Sequence, residues 1–183
     1  MLPSGLVVPS LIRRVQTGAV TVNAASASGT ATITAVNVTS AFLVALGVTT
    51  TYAGSGTGDD RVSESQPRLE LTNSTTVTAT RDAGTNGTLT MGFVVLEFVP
   101  GVIRSLQRGT ISLVNVASNT ATITAVNVNK SIVVPGYWSL TVQSSDNVVF
   151  HRVELTNSTT VTAYRDTAGV ITATVPYQVI EFF

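Results

Sequence analysis

The 183-residue chain has no cysteine, a single histidine and little charge of either sign. Without cysteine there is no disulfide, no thiol nucleophile and no cysteine-ligated metal. Because a transition-metal site needs at least two or three His or Cys ligands, we expect no metal and no cofactor. Lys and Arg number ten, Asp and Glu also number ten, and the net charge is zero. A chain without a basic surface lacks the electrostatic signature of nucleic-acid or membrane binding, so neither partner is expected.

Long apolar runs are also missing from the chain. No segment approaches the ~18 consecutive apolar residues that a membrane-spanning helix requires. The amino terminus, MLPSGLVVPSLIRR, contains two prolines and lacks a basic segment followed by a continuous apolar core, so it is not typical of a signal peptide. We expect synthesis in a cytoplasm, and we interpret residues 1–11 as an N-terminal arm able to dock on a neighbour.

β-Branched residues are what the chain has in abundance. Thr occurs 30 times and Val 29 times, and apolar residues make up 44% of the total. Their stiff side chains pack well on pleated sheets and are mildly unfavourable in helices. Short alternating segments with turn residues between them are typical of small sandwiches and barrels. The composition therefore predicts an all-β protein.

Two phrases of the sequence occur twice. TATITAVNV at 30–38 recurs at 120–128, and LTNSTTVTA at 71–79 recurs at 155–163. The flanking residues match as well, from Ile-Arg-x-x-Gln-x-Gly before the first phrase to a closing Glu-Phe pair after the second. Neither phrase holds a residue that does chemistry, so we interpret them as scaffold, with TATITAV as a core strand and Asn-Ser as a tight turn.

The repeat also predicts the domain organisation. A duplication of this length indicates a tandem domain, because solenoid repeats are shorter. We predict two small antiparallel β-sandwich domains of about six strands each. Their boundaries are an arm at 1–11, a first copy at 12–99, a linker at 100–102 and a second copy at 103–183.

One glutamate lies among apolar residues near the end of each copy. These are Glu97 and Glu181. A buried carboxylate is costly unless it is paired, and arginines that recur in both copies supply candidate partners. We interpret the pairs as structural or interface salt bridges, with Arg13 and Arg104 as the candidate cations. One glutamate per domain does not make a glycosidase pair.

The catalytic inventory is otherwise small. His151 is the only histidine, it has no counterpart in the first copy, and no nucleophile-elbow motif accompanies it. We therefore expect a protein that is not an enzyme.

The aromatic residues of one loop are the best candidates for recognition. Tyr137 and Trp138 lie in the variable loop of the second copy, and Tyr52 lies in the corresponding region of the first. Such a pair can stack on a sugar ring or anchor a protein interface, and it can equally fold back over the core. Both interpretations remain open at this point.

The order of the motifs resembles two known groups of proteins. Ile-Arg-x-x-Gln-x-Gly, TATITAVN, RVELTNSTTVTAxR and a closing Tyr-x-Val-x-Glu-Phe are similar, once per copy, to β-rich virion structural proteins of tailed bacteriophages. RVELTNSTT at 152–160 is also similar to a strand of the H-type lectin fold, a six-stranded antiparallel sandwich that oligomerises. The sugar-binding residues of that lectin family find no matching positions here, so lectin activity does not carry over.

The phage resemblance implies a function in the particle. We expect a non-enzymatic head-decoration, collar or tail component, made in the host bacterial cytoplasm and located in the virion. Its partners would be other virion proteins and further copies of itself, with a trimer as the expected symmetry. The alternative is a carbohydrate- or receptor-binding module of the tail, whose ligand would be a cell-surface glycan.

Overall fold

The computed structural model describes residues 10–52, 66–81, 87–137, 139–140, 151–168 and 172–183. The described part of the first copy contains β1 (Ile12–Val22), β2 (Ser28–Thr32), β3 (Ala41–Tyr52), β4 (Arg68–Asn73), β5 (Thr76–Thr80) and β6 (Gly87–Phe98). That of the second contains β7 (Ile103–Val114), β8 (Ser118–Thr122), β9 (Ser131–Pro135), β10 (Ser139–Leu140), β11 (Arg152–Asn157), β12 (Thr160–Tyr164) and β13 (Thr172–Phe182). One 3-10 turn spans Val128–Lys130. No helix in these ranges is long and apolar enough to cross a membrane. Residues 1–9 of the predicted arm lie outside the described residues.

Each copy is a sandwich of two antiparallel sheets. In the first copy, a sheet of order β1-β6-β3 faces a sheet of order β2-β5-β4. In the second, β7-β13-β9 faces β8-β12-β11, and the short β10 continues beside β13 where β9 ends. Strand pairing among the described residues stays within a copy. The prediction of an all-β fold with two tandem antiparallel sandwiches is confirmed.

Alternation of side chains along the strands builds the two cores. Along β6 every second residue is buried, and these residues pack against the facing sheet. The buried set of β6 comprises Leu89, Met91, Phe93 and Val95, and β13 supplies Ala173, Val175, Tyr177 and Val179 to the second core. Full burial of such an apolar side chain contributes about 1.5–3 kcal/mol.

An aromatic ring lies over a glycine in each core. Phe93 faces Gly18 across β1 and β6, and Tyr177 faces Gly109 across β7 and β13. A Cβ atom on Gly18 would lie 2.7 Å from the Phe93 ring, and one on Gly109 would lie 2.5 Å from the Tyr177 hydroxyl. The repeated Gln-x-Gly motif therefore holds a glycine because the ring occupies the space of a side chain.

The interpretation of TATITAV as one strand is wrong in its second half. Strands β2 and β8 end at Thr32 and Thr122, and the chain then leaves the sheet. The cause is the repeated glutamine, whose side-chain amide takes the place of a neighbouring strand. Gln16 donates to the Thr34 carbonyl at 2.9 Å and accepts from its N–H at 2.8 Å. Gln107 makes the same pair of bonds with Thr124, at 2.9 and 2.7 Å.

The Asn-Ser turns form as predicted from the second phrase. The Asn73 side chain accepts hydrogen bonds from the Thr75 N–H at 2.9 Å and from its hydroxyl at 3.1 Å. Asn157 makes the same two bonds with Thr159, at 2.9 and 3.1 Å. An asparagine that bonds the backbone two residues later holds a tight reversal between two strands.

Candidate functional site

The structure brings each buried glutamate to the arginine named from the sequence. Arg13 Nη1 lies 3.3 Å from Glu97 Oε1, and Arg104 Nη1 lies 3.9 Å from Glu181 Oε1. Both arginine side chains are more than half exposed, whereas both carboxylates are buried. Each carboxylate also accepts a backbone N–H, that of Asn37 at 3.0 Å or Asn127 at 2.9 Å.

The two carboxylates differ in their second oxygen. Glu181 Oε2 accepts a hydrogen bond from the Ser105 hydroxyl at 3.1 Å. In the first copy Arg14 stands in the place of Ser105 and donates to the Ala35 carbonyl instead. Glu97 Oε2 is buried without a hydrogen-bond partner among the described residues.

The hydrogen bonds to Glu181 favour its charged form. The Asn127 N–H is the largest influence and lowers the pKa of Glu181 below its ordinary value of 4.5. Burial acts in the opposite direction, and the Ser105 hydroxyl, Arg104 and Lys130 lower the pKa further. Glu181 is therefore a structural carboxylate that ties the end of β13 to the segment before β9.

The other repeated arginines are also structural. Arg68 pairs with Glu70 at 3.1 Å, and Arg152 pairs with Glu154 at 2.7 Å, within single strands. Arg81 is buried, and its guanidinium donates to the carbonyls of Ser26, Gly87 and Asn23 at 2.8–3.0 Å. The Arg81 contacts fasten the turns between strands, and the two buried glutamates are left to Arg13 and Arg104.

A glutamine side chain joins the two copies. Gln178 lies on the outer face of β13 and is buried. Its amide nitrogen donates to the Leu43 carbonyl at 2.6 Å, and its amide oxygen accepts from the Leu43 N–H at 3.0 Å. The side chain thus occupies the position of a further strand along the outer edge of β3. An unpaired strand edge is a site of non-specific pairing, and Gln178 closes it.

Arginine and main-chain contacts extend this interface. Arg108 donates to the carbonyls of Val38, at 3.0 Å, and Ala41. The Gly136 carbonyl accepts from the Leu69 N–H at 2.7 Å, which caps the edge of β4. Each contact places the sheet β7-β13-β9 of the second copy across the β3 and β4 edges of the first.

Apolar contacts close the remainder of the interface. Ile180, on the same outer face as Gln178, is fully buried and does not belong to the core of its own sandwich. Phe42 stacks on Phe98 with ring centroids 5.8 Å apart, and Phe98 meets the edge of Phe182 at 6.2 Å. Face, edge and aromatic contacts together make the boundary between the copies a packed interface.

Of the three aromatic residues singled out from the sequence, the structure describes Tyr137 and Tyr52. Tyr137 is half-buried, has a positive φ of 69° and packs against the core of the first copy. A non-glycine residue in that conformation carries backbone strain, which the packing of its ring offsets. Tyr52 ends β3 and faces Gly87 in the strand register. Trp138 lies outside the described residues.

A cleft of about 400 Å³ opens between the copies. Its polar lining residues include Glu70, Thr72, Arg108 and Thr110. The volume lies within the range of small-molecule sites. Burial raises the pKa of Tyr177 above its ordinary value of 10.0.

A second, shallower concavity surrounds the single histidine. It is lined by His151, Arg152, Tyr164, Arg165 and Asp166. The Arg152 guanidinium lies 3.9 Å above the centre of the Tyr164 ring, a cation–π contact that organises the surface. No group of three His, Cys, Asp or Glu able to hold a metal ion occurs in the searched, described part of the chain.

The residues that join the copies were not foreseen from the sequence. Gln178 stands where the first copy has Val94, and Arg108 stands where it has Thr17. A more polar residue at a matched outward-facing position is a signal that the alignment of the halves contains. It indicates a contact made by one copy alone, although it does not indicate the partner.

No protein-family model, no curated protein and no solved structure matches this chain.

Proposed function

We propose that the chain is a non-enzymatic structural protein of a tailed-bacteriophage particle, acting as a head-decoration, collar or tail component that assembles through the faces and edges of its β-sandwiches. The attribution to a virion is supported by the motif order described above. The attribution to assembly is supported chiefly by one observation, the sheet face of the second copy that covers two strand edges of the first. Packing of this kind joins two sandwiches without a catalytic reaction.

The mechanism of such a protein is mechanical. The repeated residues stabilise turns, close strand edges and pair buried charges. The surface has few charged groups to discourage pairing between edges, because charged residues make up only 11% of the chain. Further subunits that cover its faces and edges protect such a protein from non-specific pairing, which favours a homo-oligomer.

Quantitative mass spectrometry of purified particles from the producing culture tests the proposal. The measurement is the number of copies of this chain per particle. Hundreds of copies support a shell decoration, and a handful supports a collar or tail position. Absence of the chain from the particles contradicts the proposal.

The cleft between the copies favours a second candidate function, glycan or receptor binding at the tail. Its polar residues provide hydrogen bonds of the kind that orient a sugar, and Gly136 places it beside the loop that carries Tyr137. Replacement of Trp138 by Ala separates the two functions. Normal assembly with lost adsorption to the host supports binding, whereas normal assembly with normal adsorption supports the structural role alone.

A further inference from the structure

The outer face of the first copy's main sheet is apolar and largely uncovered. Val15 of β1 is 54% exposed and Leu46 of β3 is 62% exposed. Between them lie Val94 and Leu96 of β6, both half-buried, and Ile12 extends the surface at one end. We call these five residues the open face. The strand register places Val15 beside Leu96, and Leu46 contacts the position of Gly92, so they form one continuous surface.

The same face of the second copy is buried against the first. The residues that match Gly92, Val94 and Leu96 are Pro176, Gln178 and Ile180, and all three are buried. In the second copy, the outer face of the sheet β7-β13-β9 therefore packs across the edges of β3 and β4 of the first copy.

The second copy also presents the two edges that this mode of packing needs. Val133 of β9 pairs with Val179 in the register in which Leu43 pairs with Val95, so its N–H and C=O point away from β13. Val153 of β11 pairs with Ala163 as Leu69 pairs with Ala79, so its N–H points outward too. We call the outer sides of β9 and β11 the open edges. Within the described ranges, no further strand pairs with them.

Exposure at the edges supports the same comparison. Phe42, covered by the interface between the copies, is 6% exposed, whereas its counterpart Ile132 on β9 is 44% exposed. Each chain thus carries one open face and one set of open edges, on different copies. The contact within the chain shows that the outer face of the second copy fits the edges of β3 and β4.

We propose that the open face of one chain docks on the open edges of a second copy of the same chain, in the arrangement by which the second copy covers the first within a chain. The inference deepens the proposed function and rests on its claim of assembly. Such a contact is heterologous, so it closes into a ring or extends into a filament. A trimer built in this way is a ring of six sandwiches.

The contact between chains is weaker than the contact within a chain. Val94 and Thr17 replace Gln178 and Arg108, so the side-chain hydrogen bonds to the partner's edge are absent. Leu46 occupies the position of Gly136, where a Cβ would lie 2.6 Å from the Leu69 carbonyl oxygen, so the main chain at Leu46 must stay farther from the Val153 edge of the next chain than Gly136 is from Leu69. Burial of apolar side chains supplies the remaining stabilisation of the contact. The contact is therefore weak enough for the degree of association to vary with protein concentration.

Sedimentation velocity of the full chain over a range of concentrations tests the contact. Leu46→Asp on the open face and Ile132→Asp on the open edges should each raise the dissociation constant about tenfold or more, because each places a charge in an apolar contact. Val114→Asp is the matched control, since Val114 is 51% exposed but lies at the far end of β7. It should associate as the unchanged chain does.

Mixing the two defective variants identifies the type of contact. In a heterologous contact, Ile132→Asp retains a working face and Leu46→Asp retains working edges, so the mixture should form a 1:1 complex. If Ile132→Asp associates normally while Leu46→Asp does not, the face meets another face and the proposal is wrong. If removal of residues 1–9 alone abolishes association, the arm is the occupant and the proposal is again wrong.

A gain of affinity gives a test that loss of folding cannot imitate. The double variant Thr17→Arg with Val94→Gln transfers the hydrogen-bonding residues of the second copy to the open face. It should lower the dissociation constant about tenfold or more, as expected from several new hydrogen bonds. Unchanged or weaker association contradicts the proposal. Failure of the proposed function gives a different result. The chains then associate in solution, but purified particles contain no copies of the chain.

Discussion

The outer sheet face of the second copy is buried against the first copy, whereas the same face of the first copy is exposed. The frameworks are alike in strand order, in the glutamine that replaces a strand and in the buried glutamate near each end. The difference comes from a few outward-facing residues, chiefly Gln178 and Arg108. The two copies therefore have the same framework, and residues on one outer face determine which copy covers the other.

The largest expected effect concerns the aromatic ring that lies over a glycine in both cores. Phe93→Ala and Tyr177→Ala each empty the space over a glycine and should lower the free energy of unfolding by about 3–5 kcal/mol. Tyr177→Phe converts the second copy to the residue of the first and should cost less than about 1.5 kcal/mol. Urea unfolding followed by circular dichroism measures all three. A loss below about 1 kcal/mol for Phe93→Ala would show that the ring does not support the core.

The next largest effect concerns Gln178, which has no polar counterpart in the first copy. Gln178→Val gives the second copy the residue of the first and leaves the Leu43 N–H and C=O without their partners. Each unsatisfied buried group costs about 1–3 kcal/mol, so two such groups should lower the free energy of unfolding by roughly 2–6 kcal/mol.

The reciprocal change, Val94→Gln, serves as the control for Gln178→Val. It adds a polar side chain to a half-exposed face and should change the stability of the dilute protein by less than about 0.5 kcal/mol. Equal effects of the two substitutions in urea unfolding would mean that the copies are not packed asymmetrically.

A pH effect follows from Glu181. Its pKa in the folded protein is lowered from 4.5, so its ionised form stabilises the fold above that value. This contribution is lost as the pH falls from about 4.5 through the lower folded pKa. Glu181→Gln should therefore flatten the acid limb of stability against pH, and Ser105→Ala should flatten it only in part, since the Asn127 N–H remains. An unchanged acid limb in Glu181→Gln would contradict the assignment.

The smallest effect separates the two ion pairs. Both arginines are more than half exposed, so Arg13→Ala and Arg104→Ala should each cost about 0.2–1 kcal/mol. Arg13 should cost more, because its 3.3 Å pair is closer than the 3.9 Å pair of Arg104. Added salt should bring the thermal unfolding temperature of each variant closer to that of the unchanged chain. A larger loss of stability for Arg104→Ala than for Arg13→Ala would contradict the ranking.

Local patterns made the fold predictable and left the interface unpredicted. Thr-Val alternation, Asn-Ser turns and the duplication are properties of neighbouring residues, so they predict strands, turns and two sandwiches directly. The end of β2 at Thr32 was missed because Gln16, distant in sequence, supplies the bonds that a strand would otherwise make. The contact of Gln178 with Leu43 spans 135 residues, and no local pattern indicates which edge an outward-facing glutamine will meet.

Residue-resolved hydrogen exchange tests the central comparison most directly. The amides of Leu43 and Leu69 are bonded within the chain, to Gln178 and Gly136, so they should be protected at every concentration. Among the described residues, the matching amides of Val133 and Val153 have no such partner on their outer sides, so they should exchange faster in the dilute protein. Equal protection of all four amides in the dilute protein would contradict the account.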